Sequence, residues 1–307
     1  MARYVRFAGL ASIVIVEDDD EIDALLDHPE LDRTYRSAGP PLNRLLLSTL
    51  RHSLFRDGQA LLSFRPRGDG DRAAAQAAAA KRLDAFAEQA PWSNDALAAM
   101  AAYVANGTSR DAALAALTYA TAYPFLAADG REMPIPFEPK KFGDLFEQYQ
   151  RLKFAHQRWK GLPSRFLGAD RRAAQEILRM TGGDDYGLHA VGITLANSEI
   201  ILENLRASFA VRLTGTATGA PFDWRKLRTA PAMLTRQNKT PLRFAGVSEE
   251  VPANALVLLK TRQALRPDSP AGFEFASKHW SYCPASRYMM AIFERVHELT
   301  QRASTTA

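Results

Sequence analysis

The sequence predicts a mainly α protein with a minor β component, and three observations carry that reading. Apolar residues recur at helical spacing through most of the chain between Ala73 and Leu213, and again from Met289 to Leu299. Strand-like apolar runs are short and few: the β-branched Ile13-Val14-Ile15-Val16 near the start and Val257-Leu258-Leu259 near the end. No internal repeat and no domain linker interrupts the chain, so residues 1–307 read as a single domain.

The first strand is expected over Ser12 to Val16. Asp19 to Leu26 follows as a helix whose acidic opening suits the positive end of its dipole. It closes at Asp27-His28-Pro29, because the residue before a proline avoids helical geometry. Asn43 to Phe55 is apolar on one face. Ala73 to Gln89 is alanine-rich, and alanine has the highest helix propensity. Asn94 to Val104 and Ser109 to Tyr123 continue the pattern, divided by the C-cap signal Asn106-Gly107. Pro134, Pro136 and Pro139 mark a linker or a loop over a pocket. Phe142 to Trp159, Arg171 to Met180 and the long segment Tyr186 to Leu213 complete the helical middle, with Gly182-Gly183 as a break. From Leu242 to Leu259 short alternating runs return. A turn at Val251-Pro252-Ala253-Asn254 feeds a strand, and the chain closes on the helix after Cys283.

Apolar residues make up 47% of the chain, enough for a true core, and charged residues 24%. The net charge is +5 and the isoelectric point about 9.3. The basic residues are scattered, and acids such as Glu17-Asp18-Asp19-Asp20-Glu21 interrupt them. The densest basic loop, Arg65 to Arg72, has no interleaved aromatics, so nucleic acid is not an expected partner. No apolar run reaches the ~18 residues that span a bilayer. An acidic run rather than a small-residue cleavage site follows Ala8 to Val16, so a cytoplasmic protein without a membrane partner is the expectation. No Cys/His/Asp/Glu cluster has zinc spacing.

Cys283 is the one cysteine and cannot form an internal disulfide. It stands at a loop-to-helix junction, where the dipole favours thiolate over thiol. Three roles are open to it: an inert core thiol, a nucleophile paired with His279, or a metal ligand.

Taken with four other stretches, that junction resembles the haem-binding segment of a bacterial cytochrome P450. In Cys283-Pro284-Ala285-Ser286-Arg287, a small residue stands two places after the cysteine, as that family requires for close haem approach. Val14-Ile15-Val16 through Leu31 resembles its N-terminal strand–helix unit. His52-Ser53-Leu54-Phe55-Arg56 resembles its His-x-x-x-Arg helix, whose cations share one face at i and i+4. His189 to Asn197 resembles the centre of the distal helix, with Gly192 leaving room for oxidant or substrate. Pro241-Leu242-Arg243-Phe244-Ala245 resembles the strand whose arginine meets a propionate.

The resemblance implies a cytochrome P450-like fold and a haem-thiolate oxidoreductase acting on a small or medium apolar substrate. It implies haem b (iron protoporphyrin IX) as cofactor, with Cys283 as iron ligand and His52, Arg56 and Arg243 on the propionates. Gly192 and Thr194 would lie on the distal side. The departures are specific. Phe275, Ala276 and Trp280 break the loop before the cysteine, and Ser281 stands where a histidine is usual. The distal acid–alcohol pair is replaced by Thr194 and Leu195. The family's Glu-x-x-Arg has no clear counterpart near Met233 to Arg236, while Glu203-Asn204-Leu205-Arg206 matches it and would move the distal helix upstream towards Gly168. These departures favour peroxide over dioxygen with a ferredoxin-type donor. They also leave open a degenerate scaffold without haem chemistry that recruits a partner.

Overall fold

The computed structural model describes residues 2–34, 36–56, 59–60, 65–126, 134–155, 163, 167–180, 195–213, 234–260 and 284–305. They form two compact units, each assembled from stretches that interleave along the sequence. The first comprises Met1–Ala75, His156–Trp159 and Ala230–Cys283; the second comprises Gln76–Ala155, Lys160–Thr229 and Pro284–Ala307.

The first unit is built on a five-stranded mixed sheet in the order β1 (Arg3–Phe7), β2 (Ala11–Val16), β7 (Leu256–Leu259), β6 (Leu234–Asn238), β3 (Leu31–Asp32). β1 and β2 form an antiparallel hairpin, β2 runs parallel to β7, and β6 is antiparallel to both β7 and β3. Neither β1 nor β6 is among the expected strands. β1 carries Arg3 and Arg6, and β6 is mostly polar, so neither shows an apolar alternation.

Helix α1 spans Asp19–Leu26, as expected. The Asp18 carboxylate caps it by accepting from the Glu21 amide at 3.1 Å. Its Ile22, Leu25 and Leu26 pack with Val14, Val16, Val257 and Leu259 into one cluster. Full burial of each such side chain is worth roughly 1.5–3 kcal/mol.

Polar side chains complete the sheet where β7 runs out. β7 pairs with β2 only from Ile13 onward, which leaves the Ser12 backbone beyond the ladder. Fully buried Asn43, on α2 (Pro41–Leu54), takes the place of a strand there. Its Oδ1 accepts from the Ser12 amide at 3.2 Å, and its Nδ2 donates to the Ser12 carbonyl at 2.6 Å. Gly39 passes so close to this corner, at φ +96°, that a Cβ would meet the Asn254 carbonyl oxygen at 2.6 Å. After α2 comes a short antiparallel pair, β4 (Phe55–Arg56) with β5 (Gln59–Ala60).

The second unit is helical. Helix α3 (Gly70–Gln89) begins in the first unit and enters the second at Gln76. The others are α4 (Asn94–Asn106), α5 (Arg110–Leu126), α6 (Pro139–Ala155), α7 (Ala169–Met180), α8 (Leu195–Leu213) and α9 (Ser286–Thr305).

α5 is the centre of this unit. Every residue from Ala113 to Leu126 is buried, and a helix buried on all sides must be surrounded. It packs against α4, α6 and α8, while α9 packs against α4. Gly107 ends α4 in the left-handed conformation at φ +69°, its amide donating to the Tyr103 carbonyl, as the Asn106-Gly107 signal predicts. Pro139 opens α6, where its missing N–H costs no hydrogen bond.

Replacing Asn43 by alanine orphans two buried backbone groups at Ser12. It is expected to lower stability by about 2–4 kcal/mol in urea unfolding. A second expectation concerns alkaline pH. Burial pushes the Tyr119 phenol up to about 12 and raises Tyr123 and Tyr288 as well. Unfolded tyrosines ionise near pH 10 while the buried ones stay neutral. The stability they contribute is therefore complete below pH 10 and is lost as pH rises from 10 through 12. Urea midpoints at about pH 9 and pH 11, with tyrosinate absorbance followed in parallel, check the sign.

Candidate functional site

The start of α9 is the best-defined part of the expected site. Pro284 and Ala285 form a turn and the helix opens at Ser286, with its first bond from the Met289 amide to the Ala285 carbonyl at 2.9 Å. The first amides of a helix have no carbonyl of their own turn to bond, and they carry its partial positive charge. Met289, Ile292, Phe293 and Val296 are buried at the expected helical spacing, and Leu299 is half-buried.

Tyr288 holds this turn in place. Its hydroxyl accepts from Trp92 Nε1 at 2.7 Å and donates to the Ala120 carbonyl at 2.6 Å. The two rings meet edge-on, with centroids 5.4 Å apart. Next to it, Arg287 reaches Glu88 at 3.0 Å and Asp84 at 4.0 Å on α3. Cys283, Gly192 and Thr194 lie outside the described residues.

His52 and Arg56 do not share a helix. α2 ends at Leu54, so His52 lies in its last turn while Arg56 lies on β4, paired with Gln59. The signal that sequence reasoning missed is Asp57-Gly58, a hairpin dipeptide between Phe55-Arg56 and Gln59-Ala60. The side chains of His52 and Arg56 lie outside the description.

Arg243 is exposed, and no strand forms over Pro241–Ala245. A single bridge joins Leu242 to Val251, and Phe244 turns inward to the core cluster. The buried cation of this region is Arg236 on β6, 2% exposed, whose Nη1 donates to the Thr235 carbonyl at 2.9 Å. Sequence reasoning passed over it because Leu234-Thr235-Arg236-Gln237-Asn238 reads as polar surface. Three of those five residues are nevertheless buried, and strand pairing satisfies their backbone.

Glu203 and Arg206, the Glu-x-x-Arg match, lie on α8 and serve a different contact. The Tyr103 hydroxyl donates to Glu203 at 2.9 Å, and Arg110 Nε donates to it at 3.3 Å. Arg110 also reaches Glu199 at 3.1 Å. The Arg206 guanidinium lies over the Tyr103 ring, 5.4 Å from its centroid. Burial, followed by the Glu203 carboxylate, raises the Tyr103 phenol. At Arg110, burial lowers the guanidinium, but the hydrogen bond and charge of Glu203 outweigh it and the net shift is upward.

Near the proline-rich stretch, an open cavity of about 720 Å³ lies between the start of α6 and the end of α7. Phe137 and Pro139 line it with three cations, each paired to a carboxylate: Lys140 with Asp144, Lys141 with Glu138 and Arg179 with Glu176. Arg243 is not among the described residues that line it. Among the described residues, no group of three His, Cys, Asp or Glu could hold a metal ion. No described helix is long and apolar enough to cross a membrane.

No protein-family model matches the sequence, and no curated protein matches it. Solved structures do. Cytochrome P450EX alpha with myristic acid is similar at TM-score 0.58 and 13% identity, over 97% of this chain and 83% of that one. P450BioI in complex with hexadec-9Z-enoic acid ligated acyl carrier protein is similar at TM-score 0.59 and 11% identity, over 98% and 87%. Cytochrome P450SP alpha in complex with (R)-ibuprophen gives 0.58 and 15%, over 97% and 84%. At these identities the likeness concerns the fold: a mainly helical chain with a small mixed sheet, like that of the cytochromes P450.

Proposed function

We propose that this chain is a haem-thiolate oxidoreductase acting on an apolar organic substrate, with haem b held through the Cys283 thiolate. One observation carries the reading. In a chain with a cytochrome P450-like fold, the only cysteine stands three residues before a helix whose first turn is locked by Tyr288. The amides opening α9 favour a negative sulfur. Ala285 adds little side-chain volume beside it. A guanidinium suits a carboxylate partner, so Arg243 stays a candidate propionate contact. His52 and Arg56 remain candidate propionate contacts, from a helix end and a strand. Gly192 and Thr194 remain the distal candidates.

The bound cofactor would supply the redox chemistry, with the thiolate pushing electron density to the iron. The chain would supply orientation, charge and a dry surround. With Leu195 in place of a polar distal partner for Thr194, peroxide is the favoured oxidant, and a ferredoxin-type donor would serve a dioxygen route. The acyl ligands named for P450EX alpha and P450BioI make long-chain acyl compounds the first substrates to try.

Two observations favour a second reading, a scaffold without haem chemistry that recruits a partner: Arg56 lies off the α2 helix, and Arg243 is exposed. The absorbance spectrum separates the two. Purified protein supplemented with haem is expected to give the red-shifted Soret band of a thiolate-ligated carbon monoxide complex on reduction, and Cys283→Ala is expected to abolish it. A protein that stays colourless supports the scaffold.

The arginine assignment has its own test. Arg243→Gln is expected to lower the haem-to-protein ratio by about tenfold, as loss of a charge-assisted contact would. Arg243→Lys should retain part of it. Circular dichroism confirms that each variant is folded.

A further inference from the structure

We propose that the tip of the β1–β2 hairpin, together with the first turn of α2, is a peripheral contact for an anionic lipid surface. This inference is independent of the haem reading. Among the described residues six large apolar side chains are exposed, and four of them belong to this corner: Phe7 (57%), Leu10 (55%), Leu42 (42%) and Leu45 (39%). Of the other two, Leu167 lies in the turn before α7 and Ile200 on α8, away from each other in sequence, as scattered apolar residues commonly are. The Leu42 amide donates to the Leu10 carbonyl at 2.9 Å, which joins the helix start to the hairpin tip. The tip is a tight turn, closed by the Leu10 amide on the Phe7 carbonyl at 2.8 Å. At Gly9, φ +67°, a Cβ would meet nothing within 4 Å, so the turn projects into open space.

The charge around this corner selects the occupant. Arg6, adjacent to Phe7, is exposed and pairs with the exposed Glu249 at 3.3 Å. Arg44, between Leu42 and Leu45, is exposed and has no ion-pair partner among the described residues. The acidic run Glu17 to Glu21 begins beyond the opposite end of β2, about 15–20 Å away at strand rise. Apolar side chains flanked by Arg44 and by the Arg6–Glu249 pair fit the headgroup boundary of an anionic bilayer: the side chains enter it while Arg44, and Arg6 on exchanging Glu249 for lipid, meet phosphates. A second copy of the chain fits less well, because these four side chains expose only a few hundred Å², short of the ~800 Å² per partner of a specific protein interface. The contact lies on the membrane and does not span it.

Sedimentation of the full chain with phosphatidylcholine vesicles, with and without phosphatidylglycerol, tests the proposal. The chain is expected to sediment with the phosphatidylglycerol vesicles only, and to be released by high salt. Phe7→Ser combined with Leu10→Ser should weaken binding by at least about tenfold, and Arg6→Glu with Arg44→Glu should abolish it. These side chains are exposed, so the variants should melt like the parent chain. Failure to sediment, equal binding to neutral vesicles, or binding indifferent to the Phe7 and Leu10 changes would overturn the proposal. So would a dimer in analytical ultracentrifugation that the same two changes dissociate.

Discussion

The hydroxyl of Tyr288 is the contact on which the candidate site depends. A phenol buried this completely needs partners for both its donor and its acceptor functions, and it finds them in the Ala120 carbonyl and the Trp92 indole. Those partners belong to α5 and to the approach to α4, deep in the helical unit. The first turn of α9 is thereby tied to the core rather than to a surface loop. The helix that follows Cys283 in the chain is held by packing and by two directional bonds.

The sheet unit uses polar side chains to the same end. Arg36 joins Asp32 at 2.8 Å, the Asn238 carbonyl at 3.0 Å and Asn254 Oδ1 at 3.3 Å, so one guanidinium bridges the loop after β3 and the turn before β7. Asn43 does for Ser12 what a neighbouring strand would have done. Buried amides are costly unless satisfied, and once satisfied they admit few alternative arrangements. Four apolar side chains at the edge of this corner face solvent.

Much of the helical framework was legible because local signals and packing agree. Asp19–Leu26 begins after a capping aspartate and ends before a proline, and Asn106-Gly107 marks the turn between α4 and α5. The C-terminal helix shows its buried face in the spacing of Met289, Ile292, Phe293 and Val296. β1 and β6 were not legible, because strand pairing, rather than apolar alternation, holds Arg3–Phe7 and Leu234–Asn238 in place. Arg243 was expected on a strand, and the structure forms only a single bridge there, from Leu242 to Val251.

Alone, the sequence determined where helices can start and stop, that the core is mostly helical, and that a single thiol precedes the last helix. Those properties follow from capping, periodicity and residue count, which act within a few residues of chain. Tertiary structure decided which cation is buried, which polar residues form strands, and that Glu203 and Arg206 clamp Tyr103 and Arg110. Those outcomes depend on partners distant in sequence or on neighbours across a sheet, and no local pattern encodes them.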